Sequence, residues 1–137
     1  MKKPFKLAVK AVILDGEDRC LLIRRSQHCR HFTGQWEWPG GKPDPGEDFT
    51  TALVREVREE TSLEVDITGL AGATTFEMSA LHVVLLCMEA RVIAGEVHLS
   101  EEHDDFAWVG LEDVAQREIL EPMKPVLKNL LERKDLP

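Results

Sequence analysis

The sequence predicts an α/β domain, and three features carry that expectation. Apolar, β-branched runs at residues 5–14, 20–25 and 81–93 have strand character. The stretch from Asp48 to Thr61 has helical spacing behind a capping residue, and residues 122–133 have a second helical apolar face. A chain of 137 residues is the size of one domain, spanning 1–137, and buries about two-thirds of its unfolded surface.

Taken in order, residues 5–14 (FKLAVKAVIL) are apolar on both sides of the strand alternation and turn at Asp15-Gly16. Residues 20–25 (CLLIRR) return as the hairpin partner. A polar loop from Ser26 to Gln35 follows, with Arg24, Arg25, His28, Arg30 and His31 along it. Such a loop is either a set of solvated charges at a strand end or a holder of phosphate oxygens. Trp36-Glu37-Trp38 runs into Pro39-Gly40-Gly41, where paired glycines let the backbone come close to a ligand. Residues 63–67 alternate as a half-exposed strand, 70–76 form another short extended piece, and 81–93 form a central strand. Glu101, Glu102, Asp104 and Asp105 cluster in a loop ahead of the last strand, residues 106–109. The final helix carries Pro122 in its first turn and directs Met123, Val126, Leu127, Leu130 and Leu131 inward.

The stretch that organises the chain is 41–63, GKPDPGEDFTTALVREVREETSL. Pro43 and Pro45 stiffen its loop, and Asp48 offers a carboxylate to the first free N–H groups of the helix. Ala52, Leu53 and Val57 form the apolar stripe. A solvated helix keeps its glutamates opposite that stripe, yet Glu56 and Glu60 fall within it and Glu59 beside it. Carboxylates crowded on a half-buried face repel one another unless a cation sits among them. Hard oxygen donors suit Mg²⁺ or Mn²⁺, and Mg²⁺ commonly bridges protein carboxylates to substrate phosphates. The helix face therefore points to metal-assisted chemistry at phosphorus.

Gly41, five residues, Glu47, seven residues and then Arg55-Glu56-Val57-Arg58-Glu59-Glu60-Thr61-Ser62-Leu63 resembles the Nudix box, the signature of the Nudix hydrolases. One fixed position departs, since the family usually has glycine where Ser62 stands; that glycine ends the helix in a left-handed conformation. The resemblance implies an α/β/α sandwich around a mixed sheet. It also implies hydrolysis of a nucleoside diphosphate linked to another group, with Mg²⁺ or Mn²⁺ as cofactor. On that likeness Glu56, Glu59, Glu60 and the Gly40 carbonyl would be metal ligands, Glu47 and Arg55 would brace the carboxylates, and Glu59 or Glu102 would be the general base.

The substrate is less sharply marked. The short chain and the Trp36 to Lys42 context resemble MutT-type nucleoside triphosphate pyrophosphohydrolases. Trp38 or Phe76 could stack a base, although core packing is the commoner role of such residues, and Arg25 could hold phosphate. Leu120-Glu121-Pro122 lacks the Asn or Asp that readers of oxidised guanine often place there. Position 79 is Ser where the ADP-ribose subfamily tends to have proline. The spacing from Leu21 through Arg30 to Gly41 is similar to the coenzyme A pyrophosphatases, with Ile23 and Trp38 departing from their Thr and Phe. A binding module of the same fold is the non-enzymatic alternative, and the intact glutamates argue against it.

A net charge of −8 with no basic patch argues against a nucleic-acid polymer as partner and leaves a small nucleotide open. No apolar run is long enough to span a membrane, and Met1-Lys2-Lys3-Pro4 leads into no signal-peptide core, so a cytoplasmic protein is expected. Cys20, Cys29 and Cys87 form no disulfide or zinc pattern, and Cys20 and Cys87 read as core. A homodimer is compatible with the sequence and not required by it.

Overall fold

The apolar run at the N-terminus forms β1, Phe5–Leu14, and its two sides face two different cores. The computed structural model describes residues 3–134. After β1 come β2 (Arg19–Arg25), β3 (Trp36–Glu37) and β4 (Gly40–Gly41), then helix α1 (Phe49–Thr61). β5 (Glu64–Met78), β6 (Leu81–Ala94) and β7 (His103–Gly110) follow, then a 3-10 helix (Leu111–Gln116) and α2 (Met123–Lys134).

The strands make one seven-stranded sheet, ordered β3-β2-β1-β6-β5, with β4 also on β1 and β7 also on β2. β1 and β6 run parallel from Phe5↔His82 to Leu14↔Arg91, and the remaining pairs are antiparallel. The sheet is therefore mixed. A strand buried on both faces has to be apolar on both sides of its alternation, which is the pattern of β1. Val9, Ala11 and Ile13 pack with Ala52, Leu53 and Val57 of α1 on one side. Val12 packs with Trp36, Trp38 and α2 residues Met123, Val126, Leu127 and Leu130 on the other. A helix covers each face, as an α/β/α sandwich requires.

Several elements differ from the sequence expectation. The pieces expected at 63–67 and 70–76 are one strand, β5, whose pairing with β6 shifts register between Ile67 and Gly69 and between Leu70 and Gly72. Glycine at those steps accommodates irregularity and lets the strand continue. The last strand starts at His103, so Asp104 and Asp105 lie within β7; Arg24 Nε donates to Asp104 Oδ1 across the strand pair at 2.7 Å. β1 and β2 do form the expected hairpin, closed by Asp15 Oδ1 accepting the Glu17 and Arg19 N–H groups at 2.9 Å each. β3, β4 and the 3-10 helix carry no periodicity long enough to read in advance. Among the described residues, no helix is long and apolar enough to cross a membrane.

Candidate active site

Helix α1 is built as its sequence predicts. Asp48 accepts the Thr51 N–H at 2.8 Å and caps the helix. At the other end Ser62 takes the left-handed conformation, φ 68°, with its N–H on the Arg58 carbonyl and its hydroxyl donating to the His98 carbonyl at 3.0 Å. This orientation turns Glu60 inward, 6% exposed, with Oε1 accepting the Gly40 N–H at 2.7 Å. Glu56 lies against Gly41, where a Cβ would stand 2.5 Å from its carboxylate. Gly40 has φ +151°, and a Cβ there would meet the Val9 carbonyl oxygen at 2.0 Å. Only glycine admits helix carboxylates this close to β4.

Burial pushes the Glu60 carboxyl up to about 8, against the pull of the Lys10 ammonium and with the repulsion of Glu37 added. Glu56 is raised as well, by burial first and also by Glu59, while Arg55 opposes. Arg55 braces this group. Its Nε and Nη2 grip the two oxygens of Glu47 at 2.8 and 2.9 Å, and its Nη1 reaches Glu56 at 3.2 Å and Glu59 at 3.1 Å. The Arg55 hydrogen bonds hold Glu47 down at about 2. A bidentate guanidinium fixes direction as well as distance.

A second group, which the sequence did not single out, lies against the first. Glu37 is 1% exposed and takes Lys10 Nζ on Oε1 at 2.7 Å, with Arg25 Nη1 and His103 Nε2 on Oε2 at 2.8 Å each. Lys10 together with the His103 and Arg25 contacts outweighs burial and holds Glu37 well below the usual carboxylate range. His103 Nδ1 faces Glu60 Oε2 at 3.7 Å and has no hydrogen-bond partner among the described residues. Ligand atoms of Glu37, Glu60 and His103 all lie within 4.8 Å of one another. The available signals were faint: a lysine in the middle of a largely apolar strand, one glutamate between two tryptophans, one histidine among acids.

The expected site residues are placed unequally. Glu56, Glu60 and Gly40 converge, Glu47 and Arg55 stand behind them, and Glu59 lies at the rim with its side chain 56% exposed. Glu102 stays exposed, with its carbonyl accepting the Ser26 N–H; the alternation of β7 turns His103 inward in its place. Trp38 is fully buried, its indole N–H on Cys20 Sγ at 3.4 Å, which removes it from base stacking. Phe76 is partly buried against the core on the α2 face, opposite the face that α1 covers. Arg25 is committed to Glu37 and the His31 carbonyl, yet still borders a polar cleft of about 680 Å³ with Arg24, Ser26, His28 and Thr33.

A clamp of helix carboxylates beside two glycines, braced by an arginine, matches a known pattern. The model of the NUDIX domain family covers residues 4–130. The chain belongs to the NUDIX domain family. It is 30% identical over 121 residues to nucleoside triphosphatase NudI of Escherichia fergusonii, covering 78% of this chain and 84% of that protein. Asymmetrical bis(5'-nucleosyl)-tetraphosphatase of Mus musculus is 30% identical over 114 residues, 79% of this chain and 75% of that one. Among solved structures, the MutT protein from Methanosarcina mazei Go1 aligns with a TM-score of 0.89 at 30% identity over 99% of both chains. The protein is thus a Nudix hydrolase, an α/β enzyme of the family that generally uses divalent metals. Its donor set fits such an ion: buried carboxylate on Glu60, half-buried carboxylate on Glu56, and a buried imidazole nitrogen without a hydrogen-bond partner among the described residues.

Proposed function

We propose that this Nudix hydrolase converts a nucleoside triphosphate to the monophosphate and pyrophosphate with Mg²⁺ or Mn²⁺, acting as a single domain. The observation that carries the reading is the end-to-end likeness to a MutT protein at 30% identity, 99% of each chain. The similarity to a nucleoside triphosphatase supports the same substrate class.

The residues divide the work. Glu56, Glu59, Glu60 and the Gly40 carbonyl would hold the cation, which lowers the pKa of bound water and neutralises phosphate. Arg55 and Glu47 keep the ligand carboxylates in register through the 2.8 and 2.9 Å pairs. Glu59, the solvent-facing carboxylate, accepts the proton from the attacking water. Arg24 and Arg25 border a cleft that Glu101 and Asp104 also line, where a phosphate would compete with the Arg24–Asp104 and Arg25–Glu37 pairs for the two guanidinium groups. A nucleotide substrate and the free thiols Cys20, Cys29 and Cys87 support a cytoplasmic setting.

A dinucleoside tetraphosphate is the second reading, favoured by the mouse relative at equal identity. Nucleoside triphosphates, dinucleoside tetraphosphate and coenzyme A, compared at equal concentration with Mg²⁺, separate the alternatives by product. Monophosphate plus pyrophosphate at the highest kcat/KM is expected from a triphosphate. Higher kcat/KM on either rival, with no pyrophosphate from any triphosphate, would replace the assignment.

A further inference from the structure

We propose that His103 is a nitrogen ligand to the divalent cation held by Glu60, binding through Nδ1, so that this site prefers transition ions over Mg²⁺. The inference rests on the metal-dependent reading above and adds to it a donor of a different chemical kind.

The hydrogen bonds around Glu37 decide which nitrogen is free. Lys10 takes one Glu37 oxygen, while Arg25 and His103 Nε2 share the other, so Glu37 is an ionised acceptor with both oxygens engaged. Nε2 must therefore be the donor, and in the neutral ring Nδ1 carries the lone pair. That atom is buried, and its side chain is 1% exposed. A buried nitrogen without a partner carries a desolvation penalty that a bound ion would remove.

The distance agrees with an ion between the two groups. His103 Nδ1 and Glu60 Oε2 are 3.7 Å apart, too far for a hydrogen bond. Two metal–ligand bonds of about 2.1 Å each span up to about 4.2 Å. Glu60 is held for this task, because its Oε1 is fixed by the Gly40 N–H at 2.7 Å and Oε2 is the atom facing the ring. Glu37 stays outside the coordination, since two cations already occupy it. It has the role of a carboxylate that orients a metal-bound imidazole and makes it more basic. Imidazole suits Zn²⁺, Ni²⁺ and Fe²⁺, whereas Mg²⁺ and Mn²⁺ favour oxygen donors.

Binding of Ni²⁺ and Mg²⁺ alone, measured by titration calorimetry on the wild type and on His103→Gln, tests this. Glutamine keeps a side-chain donor for Glu37 and lacks the imidazole lone pair. A fall of at least about tenfold in the ratio of Ni²⁺ to Mg²⁺ affinity is expected, the range seen for weakened metal shells. An unchanged ratio with both ions still binding would overturn the ligand role and leave the metal-dependent function standing. A wild type that binds neither ion would sink the function as well. A Zn²⁺ titration of ¹⁵N-labelled wild type reads the atom itself, and stays informative if the variant does not fold. The His103 Nδ1 resonance is expected to move while Nε2 remains a protonated nitrogen; an unmoved Nδ1 would refute the proposal.

Discussion

Lys10 stands half-buried in the largely apolar strand β1, and its ammonium attracts two buried carboxylates, Glu37 and Glu60. The two respond in opposite directions. Glu37, hydrogen-bonded by Lys10, Arg25 and His103, is held ionised, whereas burial pushes Glu60, which accepts the Gly40 N–H, up to about 8. In metal-free protein the folded state thus keeps a proton on Glu60 above the ordinary carboxylate value of 4.5, where the unfolded chain has lost it. Stability from this group is present at low pH and falls as pH rises through about 8. Metal-free wild type should lose melting temperature relative to Glu60→Gln between about pH 5 and 8. Parallel curves across that range would show that Glu60 does not titrate there. Glu59 makes the contrasting case, because its side chain is 56% exposed and no core packing depends on it. Glu59→Gln should lower turnover at saturating Mg²⁺ by more than about tenfold with an unchanged circular dichroism spectrum. Retention of more than a tenth of the rate would remove Glu59 from the chemistry.

Helix α1 is the element that carries the site, and its C-terminal cap departs from the family pattern. Ser62 holds φ 68°, a conformation that costs a side-chain-bearing residue roughly 1–2 kcal/mol, and its hydroxyl bond to the His98 carbonyl offsets part of that cost. Alanine would keep the strain and lose the bond; glycine would lose both. Ser62→Gly should therefore be more stable than Ser62→Ala by about 1 kcal/mol in urea denaturation. The reverse order would mean that the hydroxyl bond, and not the backbone conformation, governs the cap. The Asp48 cap, the apolar stripe and the inward glutamates of this helix are local features, so they were legible in the sequence. β5 was not, since its register shifts beside Gly69 and Gly72 are settled by pairing with β6, which no local pattern records. The inner ends of the site were equally illegible. Lys10, Glu37 and His103 come from β1, β3 and β7, and they meet only because β2 pairs with both β3 and β7 while β1 runs alongside. Glu102, the acid the sequence suggested, stays exposed beside the inward His103, a difference set by where β7 starts.

At the scale of the whole molecule, two helices cover two faces of one mixed sheet, and the carboxylates of α1 sit where that sheet is joined by β4. A net charge of −8 adds a general repulsion to the local one at Glu56, Glu59 and Glu60. A divalent ion that binds only the assembled site should stabilise the native state by mass action. With Mg²⁺ at about 100 times its dissociation constant the gain is about 2.7 kcal/mol. At about 2.1 cal/mol/K of unfolding entropy per residue, that gain corresponds to roughly 9 °C for a domain of this length. General screening of the negative surface acts in the same direction, so the control is NaCl at matched ionic strength. Melting of wild type and of a Glu56→Gln/Glu60→Gln pair, each followed in Mg²⁺ and in the matched salt, separates the two effects. The wild type should gain several degrees from Mg²⁺ beyond the salt control, and the double variant, relieved of its repulsion, should gain only what NaCl gives. Equal shifts in all four titrations would mean that the ion acts on net charge alone and that the helix carboxylates do not form a metal site in the folded chain.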